Sequence, residues 1–138
     1  MFYSQSTYES LIYSLRDQYP EICTSTLHLY TIGPTATFVT GMLRFTQEVE
    51  LHVTEVIDFQ AGRILNYGYE VYQKGHKLYW YDPQPHPNDP TLVSNHPHHK
   101  HIPPDIKHHR IPAPSLSFTS PNLPFLIQEL LSSLLKSN

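Results

Sequence analysis

From Phe38 to Tyr81, apolar side chains fall on alternate residues, run after run. A period of two belongs to extended chain with one buried face, because successive strand side chains point to opposite sides. In FVTGMLRF, Val39, Gly41, Leu43 and Phe45 share a face. In EVELHVTEVIDF, Val49, Leu51, Val53, Ile57 and Phe59 share one, while Glu50, His52 and Asp58 take the other. ILNYGYEVY groups Leu65, Tyr67, Tyr69 and Val71, Lys74–Gly75 marks a tight turn, and Leu78–Tyr81 follows as another strand. Thr24–Ile32 reads as an earlier strand, closed by the turn signal Gly33–Pro34. The gaps are short enough for hairpins, which predicts an antiparallel meander of four or five strands.

Helical spacing appears only at the two ends. Tyr8, Leu11, Ile12 and Leu15 recur on one face of a helix over Ser4–Asp17, with Ser4 or Ser6 as cap and Pro20 as stop. Leu123–Lys136 reads as a second helix with Pro124 in its first turn. Between sheet and last helix, residues 83–122 hold ten of the thirteen prolines, a density that blocks helix interiors and central strands. The expected architecture is α+β: a single domain over residues 1–138, with an N-terminal helix, a meander, a long Pro/His-rich loop at 83–122 and a C-terminal helix. The length suits one domain.

One cysteine, Cys23, excludes an internal disulfide framework and points to a reducing compartment. No signal peptide and no apolar run of about 18 residues is present, so a cytoplasmic protein with no membrane partner is expected. A net charge of −3 gives no footprint for strong non-specific nucleic-acid binding. Residues 74–110, however, carry Lys74, Lys77, Lys100, Lys107 and Arg110 against Asp82, Asp89 and Asp105, with eight of the ten histidines. Partly protonated, this region can form a positive face for a phosphate-bearing partner.

Three features bear on chemistry. Glu55 stands in the apolar phase of its strand, so either a bulge or sheet edge frees it, or it lines a pocket with a partner or a raised pKa. The aromatic ladder Tyr67, Tyr69, Tyr72, Tyr79, Trp80 and Tyr81 suits cross-strand packing, or in one or two members the stacking of bases. HPHHKH, His96 to His101, sits in extended chain, because Pro97 restricts His96 and Pro103–Pro104 follow. His99 and His101 would then point one way, about 6–7 Å apart at Cα, and His98 and Lys100 the other. That cluster admits three readings: polar filler, metal binding by imidazoles with Glu55 or Asp82 as carboxylate ligand, or general acid–base chemistry.

The order of the pieces adds to this. A strand carrying Leu51, Val53 and Glu55 leads to YGYEVYQKGHKLYWYDPQPHP, then to NHPHHKH, then to a C-terminal helix. Tyr67, Tyr69, Tyr72 and Gln73, then Tyr81, Asp82, Pro85 and His86, then Pro97, His98, His99, Lys100 and His101 together resemble the TumE-type toxin family of prokaryotic toxin–antitoxin modules, over roughly residues 38–135. Pro83 after Asp82, Pro87 after His86, and Thr46–Gln47 between the middle strands depart from that pattern. The resemblance implies a growth-inhibiting toxin paired with an antitoxin, typically a helix-turn-helix protein.

Histidine, lysine and tyrosine on one sheet face would suit metal-independent ribonuclease chemistry. His99 and His101 would serve as acid and base, Lys100 would steady the phosphorane, and Glu55 would orient a histidine or act as base, with His98 beside them. Tyr69, Tyr72, Tyr81, Asp82 and His86 are the expected substrate contacts. No cofactor is expected on this reading. The alternative is a non-enzymatic module whose His-rich loop holds zinc or a protein partner.

Overall fold

The computed structural model describes residues 2–84, 91 and 97–135. Within them the chain forms α1 (Gln5–Tyr13), α2 (Leu15–Gln18), β1 (Ile22–Ser25), β2 (His28–Ile32), β3 (Ala36–Phe45), β4 (Val49–Asp58), β5 (Arg63–Gln73), β6 (His76–Asp82), β7 (His99–His101), β8 (Arg110–Pro112) and α3 (Leu123–Ser133). All the strands join one antiparallel sheet in the order β1-β3-β4-β5-β6-β7-β8, with β2 also on β3. The α+β class and the meander stand, but eight strands replace the four or five expected.

The extra strands have local causes. The expected Thr24–Ile32 strand divides into β1 and β2, which lie end to end along β3: Ser25 faces Leu43 and His28 faces Thr40. At the break the backbone of Thr26 and Leu27 crosses over Gly41, whose φ is +135° and where a Cβ would stand 2.5 Å from the Thr26 carbonyl oxygen. Gly41 is the only residue type that tolerates both conditions. At the other end, β7 and β8 arise inside the stretch expected to be loop, so 83–122 is not irregular throughout.

Alternation places the core. Val39, Leu43, Phe45, Val49, Leu51, Val53, Ile57, Tyr67, Tyr69, Val71 and Tyr81 are buried in one cluster with Tyr8, Ile12 and Leu15 from the N-terminal helices and Leu123, Leu126, Ile127 and Leu130 from α3. The helices therefore cover one sheet face, joined to it by apolar burial worth about 25 cal/mol per Å². The expected first helix breaks at Ser14, whose hydroxyl donates to the Leu11 carbonyl. Leu65 leaves the core phase and is 47% exposed. Val56 pairs with Asn66 but Ile57 with Ile64, so Leu65 is the extra residue of a bulge.

Two hairpin turns differ in chemistry. Lys74 and Gly75 supply the two positive φ angles (51° and 79°) that a tight two-residue hairpin requires. Between β3 and β4 the same job falls to Gln47 and Glu48, at 60° and 58°, without a glycine.

Candidate functional site

Pairing across β6 and β7 sorts the HPHHKH side chains between two faces. Asp82 lies opposite His99, Tyr81 opposite Lys100 and Trp80 opposite His101. Tyr81 belongs to the helix-covered face, so Lys100 does too, while Asp82, Trp80, His99 and His101 stand on the other. The sequence's division of His99 and His101 from Lys100 is thus seen directly.

On that second face three groups converge. His99 Nε2 is 3.0 Å from Asp82 Oδ1, His101 Nε2 is 3.1 Å from Asp82 Oδ2, and the two Nε2 atoms are 3.1 Å apart. Each imidazole is anchored from behind, His99 Nδ1 at 3.0 Å from the Pro97 carbonyl oxygen and His101 Nδ1 at 3.0 Å from that of Ile106. A carbonyl only accepts, so the network assigns the proton to Nδ1 in both rings and turns both Nε2 atoms inward. Trp80 donates its indole N–H to Asp82 Oδ2 at 3.0 Å and stacks on His101 at 4.0 Å between ring centroids. Both histidines are buried, while the Asp82 side chain is 25% exposed.

Electrostatics follow from this packing. Burial by itself would raise the Asp82 carboxyl, but the neighbouring His99 ring and hydrogen bonds from the Gln84 backbone N–H and Trp80 hold it well below the usual carboxylate range. Burial pushes His101 below its ordinary value and His99 adds to that; Asp82 pulls the other way. His101 is accordingly held toward its neutral form.

Beside the cluster lies a cleft of about 660 Å³ lined by Arg63, Asn66, Tyr67, Asp82, Gln84 and Phe118, among others. Asp82 thus belongs to both the cluster and the cleft wall. Arg63 lies over the Phe118 ring at 5.2 Å and brings a cation to the rim.

The remaining candidates are not gathered here. Lys100 Nζ is 3.1 Å from Glu129 Oε2 on α3, and Tyr81 donates to the same carboxylate at 2.8 Å. Glu55, 0% exposed, accepts hydrogen bonds from Tyr8 and Tyr69, both at 2.5 Å. Burial raises its pKa, and the two tyrosines pull it back only in part. Glu55 is thus buried with two tyrosine partners and a raised pKa, and the bulge lies on β5 and does not free it. His98 stacks on Tyr67, with its Nδ1 2.6 Å from the Tyr67 hydroxyl, on the helix-covered face. Tyr69 is buried there as well, donating to Glu55 and accepting from Asn122. Tyr72 is on the open face, packed on His52 at 4.6 Å. His86 lies outside the described residues. The sequence reading missed Arg63 and the Trp80–Asp82 contact. Trp80-x-Asp82 and His99-x-His101 share a spacing of two, the one signal that set them on a common face.

The family model for Toxin TumE matches residues 12–134. The chain belongs to the TumE toxin family. Neither the curated proteins nor the solved structures compared with it contain a significant match. For a TumE-family chain, membership implies a toxin of a toxin–antitoxin module and hence an antitoxin partner. No helix among the described residues is long and apolar enough to cross a membrane. The PHHKH block is the segment that delivers His99 and His101 to the cluster with Asp82.

Proposed function

We propose that this toxin acts in the cytoplasm by cleaving RNA at the Asp82–His99–His101 cluster, and that its antitoxin is a helix-turn-helix protein. The supporting observation is the pair of back-anchored imidazoles whose Nε2 atoms meet one carboxylate beside an open cleft. An imidazole kept neutral by burial is a base suited to a hydroxyl proton, a contribution of about 10²–10⁴ in rate. One Nε2 takes the proton of a ribose 2′-hydroxyl as its oxygen attacks the adjacent phosphorus. The bond from phosphorus to the 5′ oxygen breaks, and that oxygen leaves with a proton from Nε2 of the second imidazole, which enters the step as imidazolium and ends it neutral. The products are a 2′,3′-cyclic phosphate and a 5′-hydroxyl. Arg63 on the cleft rim is the cation for the phosphate; Lys100, turned to the other face and paired with Glu129, is not.

This scheme makes one demand on the site. Two nitrogens 3.1 Å apart leave no room for a phosphate between them, so substrate entry has to part the pair or approach it from one side.

The test is digestion of total cellular RNA by the purified protein beside His99→Ala and His101→Ala. Cleavage by the parent and a loss of at least about tenfold in either variant is the expected result. An inactive parent would transfer the cluster to a non-enzymatic binding role. Unchanged activity in both variants would remove it from the mechanism.

A further inference from the structure

The three inward-facing atoms of the cluster pose a problem of protons. With Nδ1–H of each ring committed to a backbone carbonyl, a neutral imidazole has only a lone pair left at Nε2. Two such lone pairs and a carboxylate then meet in three contacts of 3.0–3.1 Å. One added proton can bridge one pair of these atoms. A second would set two imidazolium N–H groups against each other. A cation at the centre satisfies all three contacts at once.

From this we propose that Asp82, His99 and His101 form a binding site for a divalent transition-metal ion of the zinc type, held by the two Nε2 atoms and one Asp82 oxygen. The three residues each offer a ligand atom, and these atoms lie within 4.8 Å of one another. Tetrahedral zinc with bonds of about 2.0–2.1 Å spaces its ligand atoms roughly 3.3 Å apart, close to the 3.1 Å between the two nitrogens and to the 3.0 Å from His99 Nε2 to Asp82 Oδ1. Two nitrogens and one oxygen suit zinc, and the set contains none of the all-oxygen character that magnesium or calcium prefers. The surroundings match those of a built metal site. Both ligating rings are fixed from behind by Nδ1–H donation to a carbonyl, and the carboxylate is fixed by the Trp80 indole. Three protein ligands leave one tetrahedral position for water or a phosphate oxygen. Asp82, the exposed member, forms part of the cleft wall.

With the ion bound, both Nε2 atoms are ligands and exchange no protons, so the acid–base scheme above belongs to the metal-free protein. The ion would instead supply positive charge to a phosphate approaching from one side. The ligand set stands on geometry alone; its catalytic use rests on the ribonuclease reading.

The measurement is metal content and affinity, read independently of activity. Purified protein is stripped with chelator, dialysed against zinc, and assayed for bound metal; Co²⁺ replaces zinc in a parallel sample for its visible ligand-field spectrum. One equivalent of zinc, a tetrahedral Co²⁺ spectrum and a rise in melting temperature with zinc are expected. His101→Gln and Asp82→Asn, chosen to keep side-chain volume, should each weaken binding by about tenfold or more. His108→Gln/His109→Gln, outside the cluster, should leave it intact. Should His101→Gln fail to fold, Asp82→Asn with the Co²⁺ spectrum decides. Absence of stoichiometric binding in the parent, or equal binding in the cluster variants, overturns the site. Metal bound without RNA cleavage would leave the site standing and remove the ribonuclease; cleavage by metal-free protein would leave the ribonuclease standing and remove the ion from its mechanism.

Discussion

Glu55 shows how a carboxyl group can be accommodated among apolar residues. It stands between Val53 and Ile57 on β4, fully buried, and its two oxygens accept from tyrosines that come from α1 and β5. Burial raises its pKa in the fold, so the folded chain binds a proton there more tightly than the unfolded one does. The sign follows. The stabilisation is complete below the unfolded pKa of about 4.3 and is lost as pH rises through the folded value. Glu55→Gln cannot titrate. The stability of the parent minus that of this variant should therefore fall as pH rises above about 4.3, by at most about 1.4 kcal/mol per pH unit. Denaturant midpoints measured from pH 4 to 8 would show it, and parallel curves for the two proteins would refute it. Sequence phase revealed that Glu55 faces the core. It could not reveal Tyr8, which arrives from 47 residues away through the packing of α1.

Among the elements, β3 is the one on which the rest depends. It pairs with β1, β2 and β4, and it accepts the crossing of Thr26–Leu27 only because residue 41 has no side chain. Gly41→Ala would press a Cβ against backbone atoms at 2.5–2.9 Å and fix an unfavourable φ. It should cost about 2–4 kcal/mol, read as a lowered urea midpoint. A midpoint within experimental error of the parent's would show that the edge strand gives way without cost. Periodicity alone marked β3, β4, β5 and β6 because their alternation is long. It failed at β7, which has three residues, is flanked by Pro97 and Pro103, and carries imidazoles where a core strand carries apolar groups. Such a strand exists through its ladders with β6 and β8, which the local sequence does not contain. The break between β1 and β2 was hidden for a similar reason: Gly41 marks the crossing, but the segment that crosses lies 14 residues earlier.

At the scale of the whole molecule the sheet acts as a partition. The helix-covered face holds the core together with the Tyr8–Glu55–Tyr69–Asn122 chain and the Lys100–Glu129–Tyr81 group; the opposite face holds Asp82, His99 and His101. Lys100 should therefore behave as a support of α3. Lys100→Met should lower stability by roughly 1–3 kcal/mol, since a charge-assisted bond to Glu129 is lost, yet leave cleavage and metal uptake within a few-fold of the parent. A Lys100→Met protein that melts normally but no longer cuts RNA would contradict that assignment.

The pleat through β7 has a further consequence, written in the history of the chain. His99, Lys100 and His101 are consecutive, yet their neighbours belong to separate neighbourhoods. Selection can act on each without reference to the other. Across relatives, positions 80, 82, 99 and 101 should covary as one group and positions 81, 100 and 129 as another. Adjacency along the chain would then say little about which residues evolved together.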